Sequence, residues 1–324
     1  MVHLEQQRHD ADEPAGNIAE PILSPVPAAW DLKDIVDELR LSRDVTHNVR
    51  HLGRLRPPPL RRAIDEALTD FSAALFPAHY GPPGLTPASI DAYVGETLDR
   101  GLTTLREQVR RTLPFSSAED IEDDDLLRQS GEITRLFAAQ LPDIRGLLVS
   151  DLRAAYAGDP AGTGYSEILL VYPGITAIIH HRLAHALLRL GATFLARMIS
   201  DIARSKTGID IHPGAEIGPS FFIDHGTGVV IGETAIVGAR VRLYQAVTLG
   251  ARSFPADETG VLVKGHPRHP IIEDDVVIYA GATVLGRITV GKGSSIGGSV
   301  WLTRSVPPGS QISQAQTRSG APDG

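Results

Sequence analysis

Cysteine is missing from all 324 residues, so disulfides, thiolate nucleophiles, iron–sulfur clusters and cysteine-ligated zinc are excluded. An excess of basic charge is missing too. The chain carries 31 Lys and Arg against 39 Asp and Glu, a formal net charge of −8. A general nucleic-acid binder needs a basic face; this balance argues against one and leaves room for a local basic pocket. The opening residues, MVHLEQQRHDADEPAG, contain no apolar signal-peptide core. No apolar run is long enough to span a bilayer, and the longest, ILLVYPGITAII, is broken at Pro173-Gly174. These absences lead to the expectation of a cytoplasmic protein of ordinary globular composition, long enough for about two domains.

What is present comes in two rhythms. Residues 1–28 are polar and proline-bearing and read as a flexible arm. Over 29–205 the period is helical. Leu32, Ile35, Val36 and Leu39 fall on one helix face, and Ile64, Leu68, Phe71 and Leu75 repeat the pattern. Thr86-Pro87 reads as a helix start, with further helices over about 124–157, 166–190 and on to about 205. After SKTGID the period becomes six: IHPGAE, IGPSFF, IDHGTG, VVIGET, AIVGAR, VRLYQA, VTLGAR, then IEDDVV, IYAGAT, VLGRIT, VGKGSS, IGGSVW and LTRSVP. Of thirteen first positions, twelve are Ile, Val or Leu and one is Ala235. An aliphatic residue every six, with small residues between, marks a parallel β-helix of hexapeptide repeats. Three hexads complete a coil, and coils stack about 4.8 Å apart. The reading divides the chain into the arm, a helical domain (29–205), a hexapeptide-repeat catalytic domain (206–309) and a flexible tail (310–324). One excursion, about 253–270, leaves the coil carrying Lys264, His266, Arg268 and His269; solenoids tolerate such extrusions, and loops of this length are often functional.

The repeat frames the candidate chemistry. A lone histidine at a turn is ordinarily an inert, hydrogen-bonded residue, and His225 stands out by its neighbours. Asp210 lies fifteen residues earlier, close to one eighteen-residue coil, so it is expected near His225 on the adjoining rung. A carboxylate beside an imidazole fixes its tautomer and favours the protonated form, as a general base requires. Asp224 adds a second carboxylate suited to a substrate ammonium. Arg268 can clamp a carboxylate through its planar fork, although Arg268 and His269 taken alone read equally well as exposed loop residues. His180, His181 and His185 in HHRLAH lack the Glu of an HExxH zinc site and are expected to be structural. The acidic run EDIEDDD suits a helix N-terminus. Ala280 and Gly298, one coil apart, either leave backbone open to an extended ligand or simply satisfy turns.

DIHPGAEIGPSFFIDHGTGVVIGETAIV, QAVTLGA, RHPIIEDDVVIYAGATVLG and VPPGS together resemble serine O-acetyltransferases, hexapeptide acyltransferases of cysteine biosynthesis, over about 150–309. The resemblance implies an α + β fold, with an N-terminal helical domain followed by a left-handed parallel β-helix bearing one extruded loop. It implies His225 as general base with Asp210 as its orienting partner. Asp159 and Asp224 would contact the serine ammonium, Arg268 would hold the carboxylate, and His269 would help complete the catalytic site. Acetyl-CoA would be the co-substrate, lying along Ala251, Ala280 and Gly298, with no permanently bound cofactor. The family assembles as trimers that share sites, or as dimers of trimers. The loop before RHP resembles a longer-loop subgroup. The chain lacks both the A-G-x-P-A-R segment after VPPGS and a terminal isoleucine, so a stable complex with O-acetylserine sulfhydrylase is not expected. Two alternatives stay open: the same transfer to homoserine or a sugar, and a trimeric zinc enzyme of the carbonic anhydrase type using His212, His225 and His266 or His269.

Overall fold

The computed structural model describes residues 30, 32–46, 56–116, 120–253, 260–262 and 265–314. The expected arm at 1–28, Lys264 and residues 315–324 lie outside the described residues. Two compact units, Met1–His51 and Leu52–Gly324, make up the chain. The first contains helix α1 (Lys33–Leu41), followed by a π-helical turn over Ser42–Thr46.

In the second unit, α2 (Arg61–Leu75) buries Ile64, Leu68, Phe71 and Leu75 as their spacing requires. The short α3 (Pro77–Tyr80) leads to α4 (Ile90–Ser116), which starts three residues beyond Thr86-Pro87. Thr86 instead opens a turn, its carbonyl accepting from the amides of Ser89 and Ile90. In α5 (Asp123–Gly158) the acidic run supplies Asp123, Asp124 and Asp125 to the first turn. The single helix expected over 166–190 is two, α6 (Tyr165–Val171) and α7 (Pro173–Arg189). Pro173 donates no N–H and crowds the residue before it, and Tyr172 at φ −77°, ψ 119° is extended as that demands. Helix α8 (Thr193–Thr207) ends in Gly208 at φ 69°, a left-handed cap. The boundary drawn at 205/206 therefore marks a change of secondary structure, while residues on both sides of it belong to one compact unit.

Among the described residues the coil follows as fourteen short parallel strands. Sheet A stacks β1 (Asp210–Ile211), β4 (Val230–Ile231), β7 (Thr248–Gly250), β10 (Thr283–Leu285) and β13 (Trp301–Leu302). Sheet B stacks β2 (Glu216–Ile217), β5 (Ile236–Val237), β8 (Ile271–Ile272) and β11 (Thr289–Val290). Sheet C stacks β3 (Phe222–Ile223), β6 (Arg242–Leu243), β9 (Val277–Ile278), β12 (Ser295–Ile296) and β14 (Gln311–Ile312). The chain is a helical region followed by a left-handed parallel β-helix. Its last strand lies beyond Pro307-Pro308, inside what reads from sequence as tail.

The six-residue frame conceals an irregularity. Asp210 pairs with Val230 and Phe222 with Arg242, twenty residues apart, whereas Val230 pairs with Thr248 and Thr283 with Trp301 at eighteen. The first coil thus holds two residues more than a regular one. The hexad pattern misses this because each side of the coil buries two inward columns two residues apart, for example Val229 with Ile231 and Val241 with Leu243. A two-residue insertion moves the frame from one buried column to the other, and an aliphatic residue still comes up every six.

A buried ion pair ties the helices to the coil. Arg182 on α7 donates through Nε and Nη2 to Asp151 on α5 at 2.7 and 2.9 Å, and also to the carbonyls of Ile217 and Gly218. Asp151 Oδ1 accepts the amide of Phe221 at 2.9 Å. At Gly174 a Cβ would lie 2.3 Å from the carbonyl oxygen of Ile223, so only glycine lets α7 approach β3 this closely. Removing one partner of such a pair strands a buried charge. Arg182→Met is expected to lower the free energy of unfolding by about 3–5 kcal/mol, read from urea denaturation.

Candidate active site

The two extra residues are identified by the ladder. Asp224 N–H donates to Leu243 just as Tyr244 N–H donates to Ile278, which aligns Asp224 with Tyr244. Gly228 donates to Gly208 and Ala246 to Thr227, which aligns Gly228 with Ala246 and Thr227 with Gln245. Between Asp224 and Thr227 the surplus is His225 and Gly226. Gly226 N–H bonds back to the Asp224 carbonyl at 2.7 Å, closing a γ-turn with His225 at its centre at φ 60°. Such positive-φ turns are rare and strained for a residue with a side chain. Gly226 has φ 91°, and a Cβ there would lie 2.5 Å from Ile209 Cδ1. The insertion lifts the His225 side chain out of the coil and leaves it 70% exposed.

Around it, charged groups gather at the corner after β3. His225 Nε2 lies 3.9 Å from Asp224 Oδ1, while Asp224 Oδ2 accepts Arg242 Nη2 at 2.7 Å. Asp159, at the C-terminus of α5, accepts the Tyr172 hydroxyl at 2.6 Å and the Ala161 amide at 2.8 Å. The Tyr172 bond, the Ala161 amide and the charges of Arg242 and His225 hold its carboxyl below the usual range. The same bond pushes the Tyr172 hydroxyl up to about 12. The break at Pro173 leaves Tyr172 outside both helices, where it reaches Asp159, and Gly174 brings this junction against β3. Ala280 and Gly298 belong to the same corner farther along the coil, with Ser299 N–H on the Ala280 carbonyl at 2.8 Å.

The contact expected between Asp210 and His225 is not made within one chain: no hydrogen bond or ion pair joins them among the described residues. Asp210 sits in β1 beside Val230, and the carboxylate that faces the imidazole is that of Asp224.

A second cluster occupies the corner after β4. His269 Nδ1 accepts the Thr234 amide at 3.0 Å, which puts its proton on Nε2, and Gly232 makes room for the ring, since a Cβ there would lie 2.0 Å from His269 Cδ2. Arg268 donates to Glu233 at 2.6 Å, and its amide donates to Thr234 Oγ1 at 2.9 Å. Arg287 holds the carbonyls of Thr234 and His269 at 2.6 and 3.0 Å. Ala251, where the excursion departs, is also at this corner. Sheet A thus separates Arg268, His269 and Ala251 from Asp224, His225, Ala280 and Gly298. His266 is exposed on the excursion, and His212 stays by His269, its Nδ1 accepting the Gly214 amide. Among the described residues no three His, Asp or Glu side chains converge as metal ligands. The HHRLAH histidines are part of the packing: the rings of His180 and His185 bond the carbonyls of Thr176 and Pro213. No described helix is long and apolar enough to cross a membrane.

Tyr172, Arg242, Tyr244, Glu233 and Thr234 are the site residues that sequence reasoning passes over. Arg242 sits on the outward side of β6 opposite Phe222, two residues short of the rung partner of Asp224, and reaches that carboxylate diagonally.

No family model matches the chain. A protein named "Serine acetyltransferase, plasmid" from Synechococcus elongatus is 55% identical over 296 residues, 90% of this chain and 93% of its own length. The serine acetyltransferase of Mycobacterium tuberculosis is 46% identical over 180 residues, 53% of this chain and 75% of its own. The crystal structure of Entamoeba histolytica serine acetyltransferase 1 in complex with L-cysteine is 34% identical with a TM-score of 0.67, covering 85% of this chain and 94% of that one.

The second cluster makes a pH prediction. Burial first, then neighbouring arginines (Arg268 at His269, Arg197 at His212), lower both histidines from 6.5 to about 4. Below the unfolded value the unfolded chain binds protons that the folded chain refuses, so these groups reduce stability as pH falls from about 6.5 toward 4. His269→Asn is expected to make that loss shallower, read from urea midpoints at pH 7 and pH 5.

Proposed function

The chain belongs to the serine acetyltransferase family, and from that premise we propose that it transfers the acetyl group of acetyl-CoA to the hydroxyl of L-serine with His225 as general base. The observation that carries the proposal is an exposed imidazole held out of the coil by a two-residue insertion that forms a γ-turn, with the carboxylates of Asp224 and Asp159 nearby. Fixed anions next to a base suit an acceptor with a cation near its hydroxyl. An α-amino acid has one; a sugar does not. The Entamoeba enzyme was crystallised with L-cysteine, which differs from serine only by thiol for hydroxyl, and this supports an amino acid of that size.

His225 takes the hydroxyl proton as the serine oxygen attacks the thioester carbonyl carbon. The tetrahedral intermediate collapses, the carbon–sulfur bond breaks, and the imidazolium returns its proton to the departing CoA thiolate. The products are O-acetylserine and CoA. Without cysteine the chain has no evident acyl carrier, and direct transfer in a ternary complex fits best.

Arg268 and His269 complete the carboxylate end of the site in a threefold assembly, in which the corner after β4 of one chain meets the corner after β3 of the next. Sheet A supports this reading, because its outward face carries Val230 and Trp301, 39% and 63% exposed, between the two half-sites. The CoA arm then runs along Ala280 and Gly298, with Ala251 facing it across the subunit boundary. Two trimers joined through their helical regions form the larger assembly, and Asp210 orients His225 once the site is complete.

Purified protein is expected to release free thiol from acetyl-CoA with L-serine, and far less with L-homoserine or a galactoside; the chain adds no thiol of its own. His225→Asn should lower kcat by about a hundred- to ten-thousand-fold with folding retained. Serine turnover within a few-fold of wild type in that variant would refute the assignment.

A further inference from the structure

Arg242 is the cation paired with Asp224 at the acceptor corner. It lies on the outward side of β6, and its guanidinium stacks over the rings of Phe222 and Tyr244 at 5.1 and 4.6 Å. Tyr244 in turn stacks on Tyr279 with ring centroids 5.1 Å apart. Held between rings, the planar fork is fixed in orientation in a way a flexible ammonium is not. From that position Nη2 takes Asp224 Oδ2 at 2.7 Å, and the side chain is only 23% exposed.

Two consequences follow for an ammonium-bearing acceptor. Among the described residues Asp224 Oδ1 accepts no hydrogen bond, and it is the oxygen that faces His225 Nε2. The carboxylate therefore cannot turn, and ammonium and imidazole meet the same oxygen. The second consequence is charge. Asp159 and Asp224 bring two anions to one corner, and Arg242, whose field reaches Asp159 as well, cancels one of them. The corner is left with one net negative charge among these three groups, matched to one ammonium.

We propose that Arg242 is a positioning and specificity-determining residue of the acetyl transfer, aligning Asp224 with His225 and setting the acceptor corner's charge to that of a single ammonium. This rests on the serine acetyltransferase reading above. Tight ground-state binding of the ammonium does not by itself speed the chemistry, whereas alignment does. Losing the guanidinium is therefore expected to separate KM from kcat.

The test is steady-state kinetics of full-length wild type, Arg242→Met and Arg242→Lys, with folding followed by circular dichroism. Met fills the slot between Phe222 and Tyr244 without charge. The Met variant is expected to show a KM for L-serine roughly three- to tenfold lower and a kcat at least about tenfold lower. The Lys variant restores charge without the fork, so its KM should return to within about twofold of wild type while kcat stays depressed. A folded Met variant with unchanged constants overturns the proposal, as does one whose serine KM rises, because Arg242 would then be packing alone. Should the Met variant not fold, the Lys variant decides, and a kcat within twofold of wild type overturns it. Absence of serine turnover in wild type is a different failure: it sinks the functional reading, and this proposal with it.

Discussion

Backbone hydrogen bonds running up three sheets hold every turn of the coil in register with the turns above and below it, and this ladder governs where the site can be. A first coil of twenty residues stacked on a coil of eighteen cannot spread its surplus along the strands, because their pairing is continuous. The surplus leaves at one corner, between Asp224 and Thr227, as a γ-turn around His225. A strained residue of this kind costs on the order of 1–3 kcal/mol, and the surrounding ladder and Gly226 make it tolerable. The reactive side chain is thus positioned by a local misfit in an otherwise regular solenoid.

The rest of the corner depends on how the helices dock. Asp159 stands close enough to feel the charges of His225 and Arg242, and the docking that puts it there includes the Asp151–Arg182 pair, which is bidentate and bonded to the coil backbone on both sides. Buried ion pairs are weak sources of net stability but define geometry well when every donor is matched. Gly174 removes the one Cβ that would hold α7 off β3, and Gly158, whose Cβ would lie 3.0 Å from Phe222, does the same for the end of α5. Charge is balanced at the same scale: Arg242 offsets one carboxylate, and Tyr172 fixes the other.

Much of this was legible in the sequence, and the exceptions have physical causes. Hexad periodicity gave the parallel coil directly, since a stacked aliphatic column has no other common source, and the extrusion before Arg268 was visible as a break in it. Asp224, His225, Arg268 and His269 stood out as candidates on that frame and at its extrusion, and Asp159, outside it, only through the family resemblance. The two-residue surplus was invisible because adjacent inward columns are both aliphatic. Tyr172 was hidden in what read as one helix, although Pro173 marked the interruption. Arg242 went unnoticed because its contact with Asp224 is diagonal across the longer first coil, whose register the six-residue count does not reveal. Which corner each half-site occupies depends on strand order around the coil, and the six-residue period does not encode that.

Deleting His225 and Gly226 together tests the central claim most directly. The deletion turns the first coil into a regular eighteen-residue coil and removes both the strain and the base. The account predicts a folded chain of equal or greater thermal stability that releases no serine-dependent thiol from acetyl-CoA. Retained turnover, or a chain that no longer folds, would contradict it.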